Sequence, residues 1–295
     1  SISHASNISS KPYYVFITLI KDIFKISEID SLDKMKSKLE DGIKQLQKEN
    51  KHLSKKIELA LPFIGFLIGI KYNDERLKDR DEIQNHLHIS IKTLLNAICN
   101  RSNKKGLPYI IILDDMHWID KMSCDMLEYL INTFNIDNKR NNTQYSQLLF
   151  LATYRIEYTF PDILINELKF DQIELSPLTN EDSIKLIKHS TSDIDINKQT
   201  ILDLIDKSKG NPFFIDEWLK GLGSEIKWSV DDIQSWISSI PESMHAVILS
   251  RIDTLDESCK QLLQCASVIG NKFYIDMLDM EGIRMKNLQT DLLLQ

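Results

Sequence analysis

Tyr109-Ile110-Ile111-Ile112-Leu113-Asp114-Asp115-Met116-His117-Trp118-Ile119-Asp120 is the stretch from which the rest of the chain can be read. Five residues, four of them aliphatic, run straight into two carboxylates. So short an apolar run, with Gly106 and Pro108 before it, reads as a buried strand of a parallel sheet rather than a helix. Open α/β sheets take ligands outside the carboxyl ends of their strands, which puts Asp114 and Asp115 where a ligand would sit. One carboxylate can hold Mg²⁺, a hard cation that takes oxygen ligands and keeps several waters. The other can orient and polarise an attacking water. The competing reading is that Asp-Asp simply ends a strand and starts a turn.

The 295 residues give room for one large domain or two to three small ones. Hydrophobic content of 42% and charged content of 27% are globular values, so a sizeable core can be buried. The net charge of −7, with both signs interspersed, argues against a surface that coats nucleic acid. Cys99, Cys124, Cys259 and Cys265 show neither metal-ligand nor disulfide-framework spacing, which fits free thiols in a reducing cytoplasm. No signal peptide is visible. The longest apolar run, Leu59 to Ile70, is broken by Pro62, Gly65 and Gly69 and is too short to span a bilayer. A cytoplasmic location follows as the expectation. The chain opens on Ser and stops inside an apolar pattern, so a fragment of a longer polypeptide is expected.

Before the central strand, residues 1–10 are polar and read as the tail of a strand. The spacing predicts a helix over 11–24 and a long amphipathic helix over about 31–60, packed on its own domain rather than in a coiled coil. LPFIGFLIGI reads as a buried connector, 71–81 as a charged loop and 82–99 as a third helix. His86 and His88 near its start lack the i, i+4 spacing of a helical metal pair. After the central strand, Ser123 is expected to cap a helix, and 135–147 to form a polar surface loop. A second strand follows at 148–153, then a short helix at 161–168 and a third strand at 171–175. Alternation of strand and helix is the α/β pattern. Beyond Pro177 only helices are expected: one after a Thr179/Asp182 capping box, one over 197–208, one opened by Gly210-Asn211-Pro212, one from Pro241 to Leu255, and one from Asp256 to Ile269. Phe273 to Ile275 reads as a short strand.

Taken in order, these motifs resemble those of STAND-class P-loop NTPases, signalling relatives of AAA+ proteins. YIIILDDMHWID resembles the Walker B segment, and LLFLATYR the sensor strand that ends in Thr-x-Arg. IELSPLTNEDSIKLI is similar to the segment joining the fifth strand to its helix, and GNPFFIDEWLKGL to the Gly-Asn-Pro motif. IPESMHAVILSRIDTLDESCKQLLQCASVIGNKF resembles the beginning of the winged-helix domain. Together they cover about residues 105–275. The region before residue 100 is more loosely similar to ATPase modules attached to nucleotide cyclases, protein kinases and LuxR-type regulators.

The resemblance implies an α/β fold: a partial RecA-like, AAA+-type parallel sheet core over 1–176, an all-helical lid over 177–239, and the start of a winged-helix domain over 240–295. It implies ATP and Mg²⁺ as cofactors, with Asp114 assisting the metal, Asp115 orienting the hydrolytic water and Arg155 sensing the γ-phosphate. Pro212 would lie against the adenine, with Gly210 and Asn211 shaping the turn; the other reading of Gly-Asn-Pro is ordinary helix-stop, helix-start punctuation. His117 and Trp118 would pack the Walker B loop, and Asp120 would cap the turn after it. The implied activity is an ATP-dependent switch, with ATP and ADP as ligands and an effector domain in the same longer chain. A homo-oligomer stays open; a membrane and direct nucleic-acid contact by this part are not expected. Asp115 stands where many AAA+ members carry Glu, which suits slow hydrolysis. The alternatives are a degenerate, non-hydrolysing interaction scaffold and a part of an ATP-dependent transcription regulator. No G-x-x-x-x-G-K-[ST] stretch occurs in the sequence, and in the family that loop lies upstream of where this chain begins. The chain as given is therefore not expected to bind ATP tightly.

Overall fold

The computed structural model describes residues 1–5, 11–79, 82–103, 107–141, 148–158, 171–190, 198–221, 248–249, 252–253 and 255–269. The fold is mixed α/β, mostly helical, with a small three-stranded parallel sheet. The chain divides into two compact units, residues 1–171 and 172–295.

In the first unit β1 (Ile2–His4), β2 (Tyr109–Asp114) and β3 (Leu148–Ala152) lie side by side in that order. The register sets His4 against Asp114, Ile111 against Phe150 and Leu113 against Ala152. Parallel neighbours need crossovers, and helices supply them. Between β1 and β2 run α1 (Tyr14–Ile23), α2 (Leu32–Glu49), α3 (Ser54–Leu67) and α4 (Ile83–Asn103). Between β2 and β3 runs α5 (Lys121–Asn141). The expected strand at 109–114 is thus present, at the centre of the sheet.

Two layers of core hold this unit. Ile111 and Leu113 of β2 pack with Val15, Phe16 and Leu19 of α1, with Leu87, Ile91 and Leu95 of α4, and with Met126, Leu127 and Leu130 of α5. The second layer lies mainly among helices: Ile20, Leu39, Ile43, Ile57, Ile64, Leu94 and Ile98 meet there. Helices α1, α3 and α4 contribute to both layers, so they are apolar on more than one side. Each fully buried Leu or Ile contributes about 2 kcal/mol, an upper figure because the unfolded chain already hides some surface. Ser3 is buried, and its hydroxyl donates to the Val15 carbonyl at 2.5 Å, tying β1 to α1.

Several expectations need correction. The helix expected over 31–60 is two helices broken at Asn50, whose buried amide donates to the carbonyls of Leu46 and Ala97, each at 3.1 Å. That side chain competes with the backbone and ends α2. LPFIGFLIGI is no connector: α3 carries Pro62 inside it and runs to Leu67, with Gly69 at φ 88° just beyond. Its pattern misleads because Phe63 serves one core and Ile64 the other. Helix α5 runs on to Asn141, into the segment expected to be a loop from residue 135. No strand forms at 171–175, where Ile173 and Leu175 are 82% and 91% exposed. Among the described residues no strand pairs with this segment.

In the second unit α6 (Asn180–Ser190), α7 (Lys198–Ser208) and α8 (Pro212–Gly221) surround a core of Ile187, Leu204, Ile205, Ile215 and Trp218. Thr179 caps α6, one half of the expected box: Asp182 N donates to Thr179 Oγ1 at 3.1 Å, and that hydroxyl donates to the Asp182 carboxylate at 2.8 Å. Helix α9 (Glu257–Ile269) starts where expected, with Cys259 N donating to Asp256 Oδ1 at 2.9 Å. The expected helix at 161–168 and strand at 273–275 lie outside the described residues, as does most of 241–255.

Candidate functional site

Because the three strands are parallel, their carboxyl ends meet on one edge of the sheet. That edge carries Asp114 at the end of β2 and Thr153 just past the end of β3. Thr153 is the hub. Its N–H donates to the Leu113 carbonyl at 2.9 Å, and its carbonyl accepts from Met116 N at 2.9 Å. Its hydroxyl donates to Asp114 Oδ1 and accepts from Asp115 N, the latter at 3.2 Å. One side chain therefore orients a carboxylate and holds the next peptide. Thr153 is exposed and both acids are half-buried, so the edge is open to solvent.

Asp115 sits in the left-handed region, φ 57° and ψ 36°. Asp tolerates that region better than most residues because its short polar side chain bonds locally. The bend releases the chain from the sheet into a single 3₁₀ turn, Met116–Trp118. Met116 is fully buried and anchors the turn in the core. The rings of His117 and Trp118 lie 4.4 Å apart, and the Arg155 guanidinium lies over the Trp118 ring at 5.5 Å. Both ring nitrogens of His117 are buried without a hydrogen-bond partner among the described residues. The packing role expected of His117 and Trp118 agrees with these contacts. Arg155 belongs to the same edge, held against the loop after β2 by an aromatic face.

Asp120 does more than cap the turn after it. Oδ1 accepts from Ser123 N at 2.9 Å and from Tyr13 N at 3.0 Å. Oδ2 accepts from Ser123 Oγ at 2.5 Å and from Tyr14 N at 3.1 Å. One carboxylate thus closes the first turns of both α5 and α1, where backbone N–H groups have no helical partner. The expected cap, Ser123, is a donor to the real one. Tyr13, at φ 61°, is buried beside it, and burial together with the charges of Asp125 and Asp120 pushes its phenol up to about 12. Composition offers no hint of this, since the partners are more than a hundred residues apart. For Thr153 a signal existed, a hydroxyl residue at the end of the strand that neighbours the acids.

In the second unit Gly210 has φ 73°, and a β-carbon there would come within 2.5 Å of the Leu178 carbonyl. The Gly210 carbonyl accepts from Leu178 N at 2.8 Å, and Asn211 Oδ1 accepts from Phe213 N at 3.0 Å. Pro212 stands at the first position of α8, where its missing N–H costs nothing. The turn is fully accounted for as helix punctuation, the second of its two readings, and its geometry neither adds to nor subtracts from a nucleotide role.

Asp114, Asp115, Thr153 and Arg155 are brought together; Gly210, Asn211 and Pro212 belong to the other unit. Among the described residues no group of three or more His, Cys, Asp or Glu is placed to hold a metal ion. Mg²⁺ needs no such cage: one or two carboxylates suffice when phosphates and waters complete its shell. The paired acids on an open sheet edge fit that requirement. No helix among the described residues is long and apolar enough to cross a membrane. Set against protein-family models, curated proteins and solved structures, the chain matches none of them.

Proposed function

We propose that this chain is part of an ATP-dependent regulatory switch of the STAND type, with a RecA-like core, a helical lid and a winged-helix start. One observation carries the reading: Thr153, at the end of β3, hydrogen-bonds both Asp114 and Asp115 at the end of β2. A threonine that fixes two acids on the carboxyl edge of a parallel sheet suits a metal–phosphate site. In this reading Asp114 holds Mg²⁺, oriented by Thr153, and Asp115 takes a proton from or positions water. Mg²⁺ when bound supplies charge neutralisation at the phosphates. Arg155 leaves the face of Trp118 for the γ-phosphate, which makes the ring contact a resting position. Pro212 is the residue the resemblance offers to the adenine, with Gly210 and Asn211 shaping its turn. The effector would be a further domain of the same polypeptide, and the site would work in the cytoplasm.

The scaffold alternative has its own observation, the lack of any G-x-x-x-x-G-K-[ST] stretch in the sequence. Titrating Mg·ATP into the natural full-length protein, wild type and Asp114→Ala, separates the two. The switch predicts binding that weakens about tenfold or more in the variant, with loss of Mg-dependent hydrolysis. Equal binding and turnover in both proteins would rule out the site, and no binding to either would leave the scaffold. Arg155→Ala should narrow the gap between ATP and ADP affinities; an unchanged gap counts against its sensing role.

A further inference from the structure

Arg155 and Asp115 share the sheet edge, yet among the described residues neither makes an ion pair. The arginine is exposed, and what its side chain meets is the Trp118 ring, 5.5 Å from the guanidinium carbon to the centroid. A cation and an anion left apart on one open edge call for something that separates them.

The backbone puts both within reach of each other. Asp115 N donates to Thr153 Oγ1 at 3.2 Å, and Met116 N donates to the Thr153 carbonyl at 2.9 Å. Thr153 therefore lies beside Asp115, and Arg155 follows it by two residues. Trp118 N donates to the Asp115 carbonyl at 3.0 Å, which sets the indole one tight turn from the carboxylate. The Arg155 backbone is itself tied down, its carbonyl accepting from Tyr158 N at 2.9 Å. The choice between ring and carboxylate thus falls to the arginine side chain.

Trp118 is held in place from beneath and beside. Met116 is fully buried under the turn, Trp118 packs on the same core, and the His117 ring lies 4.4 Å from the indole. The two His117 ring nitrogens are buried without a hydrogen bond among the described residues, which costs stability, so the imidazole contributes here through packing. An exposed cation–π contact and an exposed Arg–carboxylate pair are both weak and of similar size. A fixed ring can therefore hold the guanidinium off the acid, and still yield it to a phosphate, whose oxygens accept it bidentately with full charge.

We infer that Trp118 is a positioning residue whose ring holds the Arg155 guanidinium away from Asp115 and so keeps that carboxylate open to water or a cation. It acts through Arg155 and touches no ligand itself. The consequence for Mg·ATP rests on the nucleotide reading above; the hold on Arg155 does not.

Two readouts on the full-length protein test this, with circular dichroism confirming the fold of each variant. The first needs no ligand. In protein with isotope-labelled arginine, the Arg155 signal is identified by its loss in Arg155→Ala. Trp118→Leu should slow solvent exchange of the Arg155 Nε–H about fivefold, and adding Asp115→Asn should restore the wild-type rate. Trp118→Phe, which keeps a smaller aromatic face, should fall between. The second readout is Mg·ATP affinity. Trp118→Leu should lower it about fivefold in the wild-type background and by less than about twofold in Arg155→Ala. Exchange unchanged by Trp118→Leu, or slowed equally when Asp115→Asn is added, would overturn the proposal. So would an equal loss of Mg·ATP affinity in both backgrounds, which would make Trp118 part of the frame alone. If the exchange results hold and wild type binds no Mg·ATP, the nucleotide reading falls and the hold of Trp118 on Arg155 stands.

Discussion

The loop after β2 and the turn at Gly210-Asn211-Pro212 both carry residues that the resemblance assigns to a nucleotide, yet they spend their polar groups differently. In the turn, Gly210 O, Asn211 N and Asn211 Oδ1 each have a partner within a few residues or on the packed segment at Leu178. In the loop, Thr153 holds the backbone from the neighbouring strand, Asp120 ties its end to α5 and α1, and the acids at 114 and 115 stay half-buried on the sheet edge. A strand end backed by a neighbouring strand can leave side chains facing solvent. A helix-to-helix turn consumes its own. The acids at 114 and 115 therefore stand on an open, solvent-facing edge, while the polar groups named in the turn serve its own local structure.

Removing Asp120 should have the largest effect. Asp120→Ala strips acceptors from the first turns of two helices at once and leaves four donors to find water, a loss of about 4 kcal/mol. Urea unfolding measures it; a loss below about 1 kcal/mol would show that the loop is framed by something else. Gly210→Val comes next, at about 3 kcal/mol, because a branched side chain must adopt φ 73° and its β-carbon meets a carbonyl. If that variant unfolds like wild type, the turn is looser than its contacts imply, and its residues regain freedom for a ligand.

Sequence pattern carries far in the segments where one side faces a core and the other water. The strand at 109–114, the helix at Lys198–Ser208 and the cap at Thr179 all have that simple environment. It fails where an element meets two cores, as α3 does through Phe63 and Ile64, since apolar residues then appear all round. It fails too at Asn50, where one buried amide outweighs a continuous helical period. At the site, Asp114 and Asp115 were legible because a short apolar strand that runs straight into two carboxylates sets them at the carboxyl end of a parallel strand, where ligands bind. Asp120's bonds to Tyr13 and Tyr14 were not, because they are made across 107 and 106 residues of sequence separation.

A smaller change tests the sheet edge itself. Thr153→Val keeps the shape and removes the hydroxyl that orients Asp114 and accepts from Asp115 N. Stability should fall by only about 1 kcal/mol, since the site is wet and the groups can bond water instead. Mg·ATP affinity of the full-length protein should fall about tenfold, the usual cost of losing a group that orients a metal ligand. A stability loss with unchanged affinity would make Thr153 part of the frame, like Asp120, and would erase the difference between the loop and the turn.

The smallest effect separates a carboxylate given wholly to structure from those on the sheet edge. Asp30 is buried, with Lys34 at 2.7 Å, Lys38 at 2.5 Å and Ser27 N donating at 2.8 Å. Its hydrogen bonds to Lys34 and Lys38, then that from Ser27, hold its carboxyl well below the usual carboxylate range. A carboxyl with a depressed folded-state pKa adds stability above its unfolded pKa, and that stability drains as pH falls toward the folded one. Wild type should therefore exceed Asp30→Asn in urea midpoint near neutral pH, and the gap should close as pH falls below about 4. A gap that stays constant across that range would mean the lysines do not recognise the charge on Asp30, only its shape.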